Sequence, residues 1–314
     1  MAGHFRDEAA LVDFLAANYD LGRVTLEKPL AAQGRRAAYQ VRGERGCWVV
    51  KVTEPGRVEA ALQADVITPF YLAKQGFPAP CPLPACDGRL YRPYGDSFLY
   101  LYEYIEGDHP RPDGDFYCRL GGLLARLHSL PVSGAVPRSG YRPEEVLPGV
   151  QRALGRVSRP DLRPVVNELL EMIGRFPSFA EVPEGIQHSD PYFVNLVEDP
   201  AGKLYLIDWD DGGVAYPLLD VAYVVAHMCT FTARDRRTWG VAGPDEGLIW
   251  RPDWAEAFLA AYQSVRRLTP NERRLLPDAI RLSFLVYIPA WDGDGLILDN
   301  YLRMKMVDWD RFKS

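Results

Sequence analysis

A change of hydrophobic period part-way along the chain restricts its fold more than any other feature. Residues 24–30, 37–42 and 47–52 read as short strands. The connections Ala32-Gln33-Gly34-Arg35-Arg36 and Gly43-Glu44-Arg45-Gly46 are of hairpin type, so the three strands predict an antiparallel meander. Helices are predicted over 5–19 and over 57–75, and Gly76 and Pro78 stop the second one. A proline-rich, extended stretch at 77–84 leads to two further strands at 89–92 and 97–102. From about residue 114 the long periodic segments are helical, at 114–130, 160–175, 217–231, 253–266, 271–288 and 296–310, with one β interruption near 186–208. The expected chain is α+β: a small β-rich lobe, a crossing segment near 103–113, a larger helical lobe, and a ligand cleft between the two lobes.

The 314 residues suit two domains or two lobes of one enzyme. Lys and Arg number 36 against 42 Asp and Glu, and the formal charge of −6 argues against a nucleic-acid partner. Five scattered cysteines without a C-x-x-C pair suggest neither a disulfide framework nor a zinc site, and they fit a reducing cytoplasm. The first eight residues are charged from the start, and no segment approaches 18 uninterrupted apolar residues. Neither secretion nor a membrane partner is therefore expected.

The chemistry concentrates in one stretch. Gln187-His188-Ser189-Asp190-Pro191-Tyr192-Phe193-Val194-Asn195 gives H-x-D-x-x-x-x-N, and the apolar run Leu204-Tyr205-Leu206-Ile207 ends in Asp208, thirteen residues after Asn195. A loop presents a carboxylate and a carboxamide, and a turn at 198–202 then returns a strand carrying a second carboxylate. Mg²⁺ with a polyphosphate needs such a set, because one or two protein oxygens hold it while water and phosphates complete the shell. Asn195 and Asp208 are the candidate ligands, and Asp190 is left to accept a proton from an attacking hydroxyl. Each of these residues taken singly is ordinary in a loop. Their joint spacing is rare.

With these residues the chain resembles the aminoglycoside phosphotransferase, choline kinase and type II homoserine kinase superfamily, over roughly residues 19–228. The resemblance implies a protein-kinase-like two-lobed fold, with a small antiparallel β-sheet N-lobe and a mainly helical C-lobe. The N-lobe would bind nucleotide over 1–106, the hinge would lie at about 103–107, and the C-lobe over 107–314 would carry the catalytic loop at 186–195 and the acceptor pocket. It also implies an ATP- and Mg²⁺-dependent phosphotransferase, with GTP the other compatible co-substrate. Asp190 then looks like the catalytic aspartate, Asn195 and Asp208 like the metal ligands, and His188 like the histidine that braces the loop. Asp220, in Pro217-Leu218-Leu219-Asp220-Val221-Ala222, resembles the aspartate that supports that loop from a helix start.

Lys51 shares one strand face with Val49 and Thr53 and answers to the strand lysine that contacts the α- and β-phosphates. Its helical acid is Asp65, counted back from Tyr71-Leu72, with Glu59 as the alternative. Six residues apart, the two lie about 240° round a helix and cannot both face one cleft. Gly34 in the first hairpin would bring backbone N–H groups over the phosphates; Arg35 and Arg36 beside it are either phosphate neighbours or solvated. In Tyr100-Leu101-Tyr102-Glu103-Tyr104-Ile105-Glu106-Gly107 the main chain of Glu103 and Ile105 would read the base.

Eleven residues, 209–219, separate Asp208 from Asp220, and no A-P-E sequence occurs. That leaves no room for a peptide-positioning segment and points to a small hydroxylated acceptor. Thr68-Pro69-Phe70-Tyr71-Leu72-Ala73-Lys74-Gln75-Gly76-Phe77-Pro78-Ala79-Pro80 looks most like homoserine-kinase-type members. The acceptor expected is a homoserine-like amino alcohol, or a choline-like or aminoglycoside-like molecule. Trp291 and Asp292, in an acidic glycine-punctuated turn, and Asp210 are candidates to receive a cationic group on it. Asp292 serves equally well to start the last helix, and Asp210 equally well as a surface residue. The competing reading is a catalytically weak or inactive nucleotide-binding regulator of the same fold. The single glycine of the first hairpin and the short Asp65 speak for it.

Overall fold

Alternation in the first hundred residues is used on both faces of one sheet. In a computed structural model, which describes residues 8–33, 36–57, 59–139, 141–290 and 294–312, α1 (Glu8–Asn18) precedes β1 (Thr25–Gln33), β2 (Arg36–Gly43) and β3 (Gly46–Val52). Then come α2 (Glu59–Lys74), β4 (Pro82–Leu83), β5 (Arg92–Tyr94) and β6 (Ser97–Glu103). The sheet is antiparallel in the order β1-β2-β3-β6-β4, with β5 also on β6. One face (Tyr39, Val41, Trp48, Val50, Val52, Leu99, Leu101) is buried against Leu11 and Leu15 of α1. The other face sets Val49, Tyr100 and Tyr102 against Leu62 and Val66 of α2. Lys51 belongs to that second face, because side chains alternate along a strand and it pairs with Tyr100 across the sheet.

The chain divides into two compact units: residues 1–108 with 135–137 and 197–210, and residues 109–134, 138–196 and 211–314. Downstream elements are α3 (Gly114–His128), α4 (Pro143–Gly155), α5 (Arg163–Ile173), β7 (Gly185–Gln187), β8 (Leu196–Glu198), β9 (Leu204–Leu206) and β10 (Gly213–Ala215). They continue with α6 (Leu218–Tyr223), β11 (Thr230–Phe231), α7 (Ala233–Trp239), β12 (Ile249–Trp250), α8 (Pro252–Val265), α9 (Pro270–Ser283) and α10 (Asp294–Met306). In the first unit, the Asp108 and Glu198 main chains exchange hydrogen bonds of 3.1 and 2.8 Å, and the Leu206 N–H donates to the Pro78 carbonyl at 3.1 Å. A Cβ at Gly107 would stand 2.2 Å from the Glu198 carbonyl oxygen, so glycine is what allows this approach.

In the second unit α3 packs on α8. Asp113 caps α3 by accepting the Phe116 N–H at 2.8 Å. Two helices here are not among those expected from the sequence. α4 contains Pro143 and Pro148; the first sits at a helix start, where a missing N–H costs nothing. α7 is short and charged, held by a capping box between Thr232 and Asp235. The helix predicted over 217–231 is shorter than expected: α6 ends at Tyr223, widens into a π-helical turn over Val224–Met228, and gives way to β11. Among the described residues no helix is long and apolar enough to cross a membrane.

The α3–α8 contact depends on Gly121, where a Cβ would lie 2.5 Å from the Phe258 carbonyl oxygen and 2.9 Å from the Tyr262 nitrogen. Gly121→Ala is expected to push the helices apart and cost about 1–3 kcal/mol in urea unfolding. A wild-type midpoint for that variant would show that the contact yields freely.

Candidate active site

The loop after β7 is held from behind by one buried carboxylate. Asp220, in the first turn of α6 and wholly buried, accepts the His188 N–H at 2.7 Å and the Ser189 N–H at 2.8 Å. The Nε2 of His128, at the end of α3, lies 3.2 Å from the same carboxylate. Burial pushes the His128 pKa down against the pull of Asp220. The neutral imidazole gives its Nε2 proton to Asp220 and accepts the Tyr262 hydroxyl at Nδ1, 2.8 Å away. Ser189 has φ = +77°, a conformation that costs a serine free energy. Asp220 holds its N–H, the Tyr287 hydroxyl donates to its carbonyl at 2.8 Å, and its own hydroxyl donates to the Asp211 carbonyl at 2.9 Å.

Asp190 follows this strained residue. Its Oδ2 accepts from Asn195 Nδ2 at 2.8 Å, and the same Nδ2 lies 2.9 Å from the Asp190 carbonyl oxygen. Its Oδ1 accepts the Tyr223 hydroxyl at 2.5 Å. Burial, and then the Asp190 charge, push the Tyr223 pKa well up, so the phenol stays protonated and remains a donor. His188 is wholly buried, and its Nδ1 accepts the Asp190 N–H at 3.4 Å. The second unit therefore brings together Asp190, Asn195, His188 and Asp220. It adds Tyr223, Tyr287 and His128, which the sequence reading did not single out. Tyr223 had a local signal, lying three residues after Asp220 on one helix. Tyr287 and His128 had none.

In the first unit, Lys51 Nζ is ion-paired with Asp208 and with Asp210, the latter at 3.3 Å. Burial works against the ammonium, but Asp210 and then Asp208 outweigh it and raise the Lys51 pKa. Asp208 reaches it from a residue at φ = +64°. The acid expected on α2 is placed differently. Asp65 is wholly buried in the Leu62/Val66 stripe, but its partners are Arg57 at 2.8 Å and the Tyr100 hydroxyl at 2.9 Å, while the Tyr102 hydroxyl donates to its carbonyl. Lys51 is not its ion-pair partner, because Arg57, just ahead of α2, supplies the compensating cation. Glu59 pairs with neither, accepting the Tyr91 hydroxyl at 2.6 Å. Burial and the facing Asp210, opposed by Arg57, hold the Asp65 pKa up at about 8. Asp210, expected to face an acceptor or solvent, is engaged by Lys51 instead.

At the end of β6 the Glu103 N–H donates to the Cys81 carbonyl at 3.0 Å and the Tyr104 N–H to the Cys47 carbonyl at 3.1 Å. The Ile105 N–H makes no hydrogen bond among the described residues. A cavity of about 750 Å³ borders this turn, lined by Trp48, Phe70, Glu103 and Tyr104 among others. Gly34, Trp291 and Asp292 lie outside the described residues.

A model of the phosphotransferase enzyme family matches residues 27–277. The homoserine kinase of Hyphomonas neptunium is 28% identical over 304 residues, covering 91% of this chain and 88% of that protein. Among solved structures, choline kinase from Cryptosporidium parvum superposes with a TM-score of 0.66 at 11% identity, covering 97% of both chains. A microcompartment-associated aminopropanol kinase gives 0.63 at 17% identity, covering 95% of both. The α+β architecture is thus kinase-like.

Two outcomes follow for these buried carboxylates. Asp220→Ala leaves two buried N–H groups and His128 without their acceptor, and is expected to lose about 3 kcal/mol or more in urea unfolding. A loss under about 1 kcal/mol would show that the loop is held elsewhere. Asp65 binds a proton in the folded chain that the unfolded chain releases, so this residue's contribution to stability falls as pH rises from the ordinary carboxylate range toward about 8. Asp65→Asn lacks that contribution. The melting temperature of the variant minus that of wild type should climb from about pH 5 to about pH 8, and a flat difference would contradict the raised pKa.

Proposed function

The chain belongs to the phosphotransferase enzyme family, and from that premise we propose that it is an ATP- and Mg²⁺-dependent kinase acting on a hydroxyl of a small amino alcohol, homoserine-like in the first instance. The observation that carries the reading is the Asp190 carboxylate, oriented by Asn195 and Tyr223 on a loop whose backbone is pinned by Asp220. Such a group is suited to orient an acceptor hydroxyl and take its proton as the phosphoryl group arrives. The homoserine kinase relative supports the acceptor class, and the aminopropanol kinase likeness agrees with an amino alcohol.

Asn195 and Asp208 would hold Mg²⁺. Their chemistry fits, since both offer oxygen, and engagement of Asn195 Nδ2 by Asp190 leaves Oδ1 as the coordinating atom. When bound, the ion supplies charge neutralisation on the polyphosphate. Lys51 is the residue to clamp the α- and β-phosphates, exchanging its present aspartate partners for them. The Ile105 N–H is suited to read the base.

The test is ADP release with Mg·ATP against homoserine, choline, aminopropanol and an aminoglycoside, with Asp190→Asn as the blank. Wild type is expected to turn over at least one amino alcohol. Asp190→Asn should lose about 10²–10⁴-fold in kcat while keeping Mg·ATP affinity within about threefold. Asp208→Asn should weaken nucleotide binding itself, measured by calorimetry. Nucleotide binding with no turnover of any acceptor would favour the inactive-regulator reading, and absence of both would remove the nucleotide site.

A further inference from the structure

Resting on the phosphotransferase reading, we propose that Tyr223 is a positioning residue that sets the plane of the Asp190 carboxylate through its hydroxyl. The terminal torsion of an aspartate is broad and roughly two-fold, so a single donor leaves the carboxylate free to rock about that bond. Asn195 Nδ2 holds Oδ2 at 2.8 Å, and the Tyr223 hydroxyl holds Oδ1 at 2.5 Å. Two donors on opposite oxygens define a plane.

Tyr223 has little freedom of its own. Its ring is buried, packed edge-on against Tyr192 and Tyr287 with centroids 6.5 and 5.9 Å away, and tilted against His227 at 4.8 Å. His227 stands in the π-helical turn that begins directly after Tyr223, and its Nε2 bonds the Ser283 carbonyl at 2.8 Å. Tyr287 fixes the preceding residue by donating to the Ser189 carbonyl. Two tyrosines, from α6 and from the segment after α9, thus grip consecutive residues of the loop. The second acts on the main chain, and Tyr223 acts on the reacting side chain.

The experiment removes the hydroxyl and keeps the ring. Tyr223→Phe is expected to lower kcat about 10- to 100-fold for whichever acceptor the wild type uses, because a misaimed carboxylate loses near-attack geometry. KM for ATP and for the acceptor should stay within about twofold, since binding is not what the hydroxyl serves. Tyr117→Phe is the matched control: it also removes a buried hydroxyl, one that donates to the Met228 carbonyl instead of to Asp190. It should lower the melting temperature as much as Tyr223→Phe does while leaving kcat unchanged. A Tyr223→Phe kcat within about twofold of wild type, or a loss residing in KM, overturns the positioning role and leaves the kinase reading standing. A wild-type chain that phosphorylates no acceptor overturns both.

Discussion

Asp220 is the charge on which the second unit depends. A wholly buried carboxylate persists only if its lone pairs are filled, and two consecutive backbone N–H groups with an imidazole N–H fill them. The benefit runs both ways. The N–H groups of His188 and Ser189 belong to a loop that no sheet could satisfy, and Ser189 takes a left-handed conformation that a serine adopts only under constraint. Asp190 is therefore presented by a strained, fully bonded turn.

The charges of the first unit are arranged on a different principle. Lys51 lies on the sheet face shared with α2, yet its partners come from residues 208 and 210, beyond β9. Asp65 stands on the same face, in an apolar stripe, and receives its own cation from Arg57. The Lys51 ammonium thus has carboxylate partners, and Asp65 offsets the cost of its burial with Arg57 beside it and a retained proton. Asp210 faces the pair as a further negative charge, and with burial it keeps the Asp65 proton bound to higher pH than an ordinary carboxylate would allow.

Much of this is legible in the sequence alone. The strands of the β-rich region announced themselves by alternation and hairpin turns, α2 by its stop signals, and α3, α8 and α9 by period, because these are local consequences of backbone geometry. The strand predicted at 89–92 instead runs Arg92–Tyr94, and α4 was hidden by two prolines that a helix start and tertiary packing accommodate. His188, Asp190 and Asn195 could be singled out because they lie close together in one loop, and Asp208 because it ends one apolar strand. The partner of Lys51 could not. An ion pair is chosen among all charges within a few ångströms, and a register of six residues along one helix does not reveal that Arg57 has already taken Asp65.

By itself, then, the sequence determined the alternation of strand and helix, the loop that carries the carboxylate and carboxamide, and the aspartate at the start of α6. All are set by spacings of a few residues, over which backbone geometry leaves little choice. Tertiary structure alone decided which donors reach Asp190 Oδ1 and the Ser189 carbonyl, and which carboxylates hold Lys51. Tyr287 is nearly a hundred residues from the loop it grips, and Asp208 is 157 residues from Lys51. Such contacts depend on how whole elements pack, and the pattern along the chain holds no record of them.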